Sequence, residues 1–376
     1  MSYNRKIKSS IPAIVSVLLL CTNCSKTVQK ESGVASIENL YASGMEKLKK
    51  NDLKGAEGDF QSIIKRDRNS PLGYTGIALI ALKRSDFKPS LFAINRALQL
   101  DPDFADAYIV QGRIFTILKK STWFQDAAAS FNRAIALDPG SDRALYYYGE
   151  LYLASYMFGR AEEYYDRAMK LQGSYKDSAA AKLTFIRKIT EVAPVSRVGK
   201  IHVVDGAIDR AELCTLLIEE LKIKELLEQY NMPLFEQFYT LDFRLKKDKI
   251  YIPADVTSHP RKQWIIDIVP LRIPDLSMLP DDKFYPDRTV TRAQLAVISN
   301  AIQHLLRGDK NESENSIEEE PFISDVRADF YAFDAIVYCV ASGIMQTGDS
   351  GTFHPNDTVS GLDTIRILRK LRLMFE

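Results

Sequence analysis

Gly348-Asp349-Ser350-Gly351 copies a short string found around the nucleophile of serine proteases. A nucleophilic serine also needs a base within hydrogen-bond reach and a third group to orient that base. No such partners can be assigned to Ser350. The string instead leads into the turn Gly351-Thr352-Phe353-His354-Pro355, where glycine serves the backbone. The same turn has too few spaced carboxylates for a calcium loop. His202, His259, His304 and His354 are scattered, without the spacing of metal ligands. There is no glycine-rich phosphate loop. These readings predict no enzyme, no cofactor and no metal. The remaining chemistry is recognition. A cluster of tyrosines runs through Tyr146, Tyr147, Tyr148, Tyr152, Tyr156, Tyr164 and Tyr165, and aromatic side chains are favoured at interfaces.

Composition agrees with a folded binding protein. The chain has 376 residues, 46% hydrophobic and 26% charged, which is neither a disordered nor a polytopic membrane composition. Fifty basic against 49 acidic residues give a net charge of +1. Nucleic-acid binders carry a basic excess for phosphate contacts, so no nucleic-acid partner is expected. Four cysteines are too few for a disulfide-stapled scaffold.

Two sets of internal repeats must position any binding surface. Gly44, Ala78, Gly112 and Gly149 are spaced by 34, 34 and 37 residues. Phe60, Ile94, Phe131 and Tyr165 follow with spacings of 34, 37 and 34, and Ile63, Ala97, Ala134 and Ala168 keep step. A small residue lets one helix approach the next, and a large one fills the gap between pairs. Pro102 and Pro139 close two units, since proline cannot continue a helix. This pattern resembles the tetratricopeptide repeat, a helix–turn–helix unit of about 34 residues. Three extra residues in the third repeat are expected in its inter-helix turn around Ser121-Thr122-Trp123. Residues 37–190 thus read as four repeats plus a capping helix. Such arrays present a concave binding groove. Tyr148, Tyr152 and Tyr165 fall on packing positions, whereas Tyr146 and Tyr147 do not. They are the candidate partner-binding residues, with packing on the capping helix as the alternative.

Residues 191–376 repeat another signal. Ile208-Asp209-Arg210-Ala211-Glu212-Leu213 recurs as Val290-Thr291-Arg292-Ala293-Gln294-Leu295, and in worn form as Val359-Ser360-Gly361-Leu362-Asp363-Thr364. Each starts a helix, with Asp209, Thr291 and Ser360 as N-caps. Ahead of them stand Ala254-Asp255-Val256, Trp264 and Phe284-Tyr285-Pro286, then Ser324-Asp325-Val326, Gly343-Ile344-Met345 and Phe353-His354-Pro355. This order resembles the S-layer homology repeat. The first unit keeps only its helix start. The resemblance implies three units about a pseudo-threefold axis that bind an acidic envelope glycan or peptidoglycan, reached by Arg210 and Arg292. A helix N-terminus offers N–H groups to an anion, and a guanidinium adds a bidentate contact. Trp264 is placed to stack on a sugar. Gly361 stands where the third arginine would be, so that groove is expected to be lost or reassigned. The acidic stretch 309–320 reads as a loop between units two and three.

The N-terminus reads as an export signal. Arg5, Lys6 and Lys8 precede an apolar run of ten residues, Ile11 to Leu20, which is too short to span a bilayer. The run ends in Cys21-Thr22-Asn23-Cys24 and resembles a bacterial lipoprotein signal. Cys24 is the better lipidation site, because Leu20 before Cys21 departs further from the small residue that family carries there. Residues 1–23 would then be the leader and 24–36 a linker. Removal of Arg5, Lys6 and Lys8 leaves 47 basic and 49 acidic residues, a net of −2. Cys214 and Cys339 read more simply as small buried hydrophobes than as a bridge, although export would permit one. The chain is therefore expected to be all-α, a tetratricopeptide solenoid followed by a three-unit S-layer homology domain. The implied function is a non-enzymatic lipoprotein adaptor, held by its lipid on the periplasmic face of the outer membrane, with a glycan and a protein as partners. The alternative is an assembly or scaffold factor for outer-membrane or secretion complexes, whose C-terminal units bind protein.

Overall fold

The computed structural model describes residues 36–230, 252–307 and 321–376. The leader, Cys21, Cys24 and the acidic stretch 309–320 lie outside these residues. Among the described residues there are sixteen α-helices and no strand. None is long and apolar enough to cross a membrane.

Four antiparallel helix pairs come first: α1 (Ile37–Lys49) with α2 (Leu53–Arg66), α3 (Pro71–Lys83) with α4 (Phe87–Leu100), α5 (Ala105–Leu118) with α6 (Trp123–Leu137), and α7 (Asp142–Ala154) with α8 (Phe158–Lys170). The repeated small and large residues meet inside each pair. A methyl added at Gly44 would lie 2.6 Å from the Phe60 ring, one at Gly112 2.7 Å from Phe131, and one at Gly149 2.6 Å from Tyr165. The second pair carries Ala78 against the smaller Ile94, and both are fully buried. The volume missing from one helix is thus restored on the other, as close packing requires. The third repeat departs from expectation. Its three extra residues are not a turn insertion, because α5, the turn and α6 are each one residue longer than in the first two repeats. The turn is entered through Lys119 in the left-handed region, φ 46°.

The capping helix, α9 (Lys176–Val192), packs on α8 and also on the last helix of the chain, α16 (Gly361–Leu373). Arg369 donates to the carbonyls of Glu191 at 3.2 Å and Val192 at 2.7 Å, satisfying acceptors that a helix C-terminus leaves open. One buried cluster runs from Leu145 through α9 to Phe375. The last repeat and the C-terminal units therefore share a single core.

The remaining helices are α10 (Arg197–His202), α11 (Arg210–Glu219), α12 (Ile223–Gln229), α13 (Lys262–Ile268), α14 (Arg292–Arg307) and α15 (Phe333–Ala341). The three repeated helix starts meet at a closed ring of main-chain hydrogen bonds. The Ile208 N–H donates to the Val359 carbonyl at 3.1 Å, Val359 to Val290 at 3.1 Å, and Val290 to Ile208 at 3.0 Å. This ring is the pseudo-threefold axis. Capping fixes the helices around it. Asp209 and Glu212 form a reciprocal capping box, as do Thr291 and Gln294. At the third start, Ser360 caps the Asp363 N–H and donates its hydroxyl to the Asp363 carboxylate.

Candidate functional site

Two seams around the ring have the same construction. Asp255 accepts from the N–H groups of Phe284 at 2.9 Å and Tyr285 at 2.6 Å. Asp325 accepts from Phe353 at 2.6 Å and His354 at 2.7 Å. Tyr285 and His354 hold φ of 55° and 56°, a conformation costly for non-glycine residues, so the carboxylates act as clamps on strained turns. Each turn buries its phenylalanine beneath a guanidinium from the preceding unit. Arg210 lies 4.5 Å from the centre of Phe284, and Arg292 lies 4.6 Å from that of Phe353. These are cation–π distances.

The helix N-termini differ from expectation. Arg210 and Ala211 donate their N–H groups to the carbonyls of Arg288 and Pro286, and Arg292 and Ala293 donate theirs to Asp357 and Pro355. The caps occupy the next N–H of each helix. The neighbouring unit thus takes the groups that an anion would have used.

The two arginines also differ from each other. Arg210 is only 2% exposed. It donates to the Ser277 carbonyl at 3.1 Å, and its Nε is buried without a partner. Burial pulls its pKa below the usual arginine value. In this arrangement it offers no face to a ligand. Arg292 is half-buried. Its Nε donates to the Phe353 carbonyl at 2.7 Å and its Nη2 to that of Gln346 at 2.9 Å, and burial likewise lowers its pKa. It lines an open cavity of about 130 Å³ together with Met345, Gln346, Asp363, Arg366 and Lys370. Arg366 pairs with Asp363 at 2.7 Å and Lys370 donates to the Gly343 carbonyl at 2.6 Å, so three cations border a hollow with one carboxylate, a net positive lining. Sequence reasoning missed Arg366 and Lys370. Their signal was the i, i+4 spacing along the helix that the worn start opens.

Trp264 is half-buried on the core and donates Nε1 to Glu219 at 3.2 Å. It is not among the residues lining the Arg292 cavity. Tyr146 packs against Tyr165 and Tyr175, with ring centres 5.6 and 5.0 Å away. Burial, with Glu150 nearby, pushes its hydroxyl pKa up. Tyr147 holds Arg113 at 4.2 Å over its ring and shares a 3.2 Å hydroxyl contact with Tyr175. Both tyrosines therefore lean on the residue that enters α9. The Ser350 hydroxyl lies 3.4 Å from that of Thr352, and the Ser350 carbonyl accepts from the Ser324 hydroxyl at 3.2 Å. Cys214 and Cys339 are separate buried thiols, and burial pushes the Cys339 thiol up to about 12.

The third seam has no guanidinium. A methyl at Gly361 would lie 1.7 Å from the His202 carbonyl oxygen, so only glycine fits, and the Gly361 N–H reaches the Asp205 carbonyl at 3.2 Å. The approach of α10 leaves no room for the expected arginine. His202 stands six residues before Ile208, as Phe284 does before Val290 and Phe353 before Val359. It is the first unit's counterpart of the buried phenylalanines. Although the histidines are scattered in sequence, folding brings His202 onto Asp205 at 2.7 Å and within 3.8 Å of Glu212.

Comparisons with known proteins agree with both repeat sets. The S-layer homology domain family matches residues 279–296 and 323–365. The tetratricopeptide repeat family matches residues 118–179. No curated protein matches the chain. Among solved structures, a thermophilic TPR protein of Thermus thermophilus is 15% identical with a TM-score of 0.37, covering 52% of this chain and 97% of its own. Pseudomonas aeruginosa pilF is 15% identical with a TM-score of 0.35, covering 60% and 95%. PilW, described as a type IV pilus biogenesis factor, is 16% identical with a TM-score of 0.32, covering 56% and 98%.

Proposed function

We propose that this chain, which joins tetratricopeptide repeats to an S-layer homology domain, is a non-enzymatic cell-envelope adaptor that holds an acidic envelope glycan and a protein. The observation that carries the reading is the hollow at Arg292, Arg366 and Lys370. Its size suits an acidic substituent of a sugar rather than a whole ring. Main-chain carbonyls take two nitrogens of Arg292, which leaves its Nη1 for a carboxylate. Charge-assisted contacts of this kind are the stronger hydrogen bonds. Arg210 serves as a core residue of the first seam, and Trp264 has no part in this hollow. The protein partner binds the repeat groove near Tyr147 and Arg113, where an aromatic face and a cation are already paired. Cys24 carries the lipid, and the outer membrane's periplasmic face is the location. Several modest contacts on one chain gain strength from their linkage.

The test is co-sedimentation of the full chain with isolated cell-wall sacculi. The parent chain should pellet with them, and the triple variant Arg292→Ala, Arg366→Ala, Lys370→Ala should stay in the supernatant. Parent and variant pelleting alike would sink the glycan site. Failure of the parent to pellet would favour the assembly-factor alternative. For the anchor, Cys24→Ser should move the protein from membrane to soluble fraction, and Cys21→Ser should not.

A further inference from the structure

The third seam replaces a ring under a guanidinium with something else. His202 fills the phenylalanine position, yet its ring turns toward carboxylates. Nδ1 lies 2.7 Å from Asp205 Oδ2 and 3.8 Å from Glu212 Oε1. The imidazole, Asp205 and Glu212 offer three donor atoms, all within 4.8 Å of one another. Glu212 is held in place from outside. Its Oε2 accepts the Asp209 N–H at 3.0 Å, and its Oε1 accepts Arg261 Nη2 at 3.1 Å. Outer contacts of this kind orient ligands in metal sites.

We propose that His202, Asp205 and Glu212 form a binding site for a divalent transition metal of the zinc class. One imidazole nitrogen and two carboxylate oxygens suit such an ion, whereas calcium and magnesium prefer oxygen alone. Metal–ligand bonds of about 2.0–2.2 Å in a tetrahedron put ligand atoms roughly 3.3 Å apart. The present separations of 2.7 and 3.8 Å bracket that value, so Asp205 retreats slightly and Glu212 advances slightly. The Asp205 side chain is 37% exposed, which gives the ion an entry and a water the fourth position. Binding would tie α10 to the start of α11. Both His202 and Asp205 also touch Gly361 through their carbonyls, so the ion would brace the seam that lacks an arginine.

The experiment titrates metal-free full-length protein with zinc chloride, following stoichiometry by calorimetry and thermal unfolding in parallel. The parent should take up an equivalent that raises the unfolding midpoint by about 3–5 °C at saturating zinc. Asp205→Asn and Glu212→Gln should each lose that equivalent and the shift. His304→Asn, at an exposed position of α14 away from these residues, should keep both. Asp205→Asn retains the main-chain carbonyl that receives Gly361, and circular dichroism confirms its fold. No zinc-dependent shift in the parent, or the same equivalent and shift in Asp205→Asn, would overturn the proposal.

Discussion

The guanidinium carbon of Arg292 lies 4.6 Å from the centre of the Phe353 ring, and its Nε donates to the carbonyl of that same residue at 2.7 Å. One side chain thus closes a seam and faces an open hollow. Phe353 has no such second role and is fully buried. Phe353→Ala should cost about 3–5 kcal/mol of stability, read from the urea midpoint. Arg292→Ala should cost clearly less while removing glycan retention. Equal destabilisation by the two would mean that the arginine is structural alone.

Gly361 makes the opposite case, a residue fixed by space. Gly361→Ala drives a methyl into the His202 carbonyl and should destabilise by roughly 1–3 kcal/mol or more. Gly58→Ala is the contrast, since nothing lies within 4 Å of that position on α2. There the better helix propensity of alanine should add up to about 1 kcal/mol. Denaturant midpoints of the two variants should move in opposite directions.

Asp325 links the third unit to pH. Burial alone would raise its pKa, but the N–H groups of Phe353 and His354 outweigh that and hold it below the ordinary carboxylate value. A carboxyl whose folded pKa is depressed stabilises the fold above its unfolded pKa and loses that contribution as pH falls. The loss should set in below about pH 4. Asp325→Asn should therefore flatten the decline of the unfolding midpoint between about pH 5 and pH 3. An unchanged slope would show that the clamp is not carried by charge.

Arg369 adds two hydrogen bonds at the end of α9 to the joint that the shared core makes between the two repeat sets. Arg369→Ala should remove about 1–2 kcal/mol. Limited proteolysis should then cut faster around the exposed Val195 than in the parent, with the repeats themselves still protected.

Much of this was legible in the chain. The alternation of Gly44, Gly112 and Gly149 with Phe60, Phe131 and Tyr165 is enforced by ring-to-backbone packing, so spacing alone reports it. Helix starts are equally local, because caps lie three residues apart. The sites were less legible, because they depend on what the neighbouring unit brings. Arg210 and Arg292 share one motif, yet the Ser277 carbonyl draws one inward while the other borders a hollow made by α16. His202 hid its equivalence to Phe284 and Phe353 because its residue type changed while its distance to the axis did not. The bond from Arg369 to α9 spans 177 residues, and no local pattern announces it.

In the proposed function, the hollow at Arg292 recognises a carboxylate on an envelope polymer. The most direct measurement is the dissociation constant of full-length protein for a soluble acidic envelope polysaccharide, before and after its carboxyl groups are reduced to alcohols. Reduction should weaken binding to the parent chain by about tenfold, since a partly exposed charge contact is worth on the order of 1–2 kcal/mol. The triple variant Arg292→Ala, Arg366→Ala, Lys370→Ala should bind both forms equally and weakly. Equal affinity of the parent for the native and the reduced polymer would contradict the account.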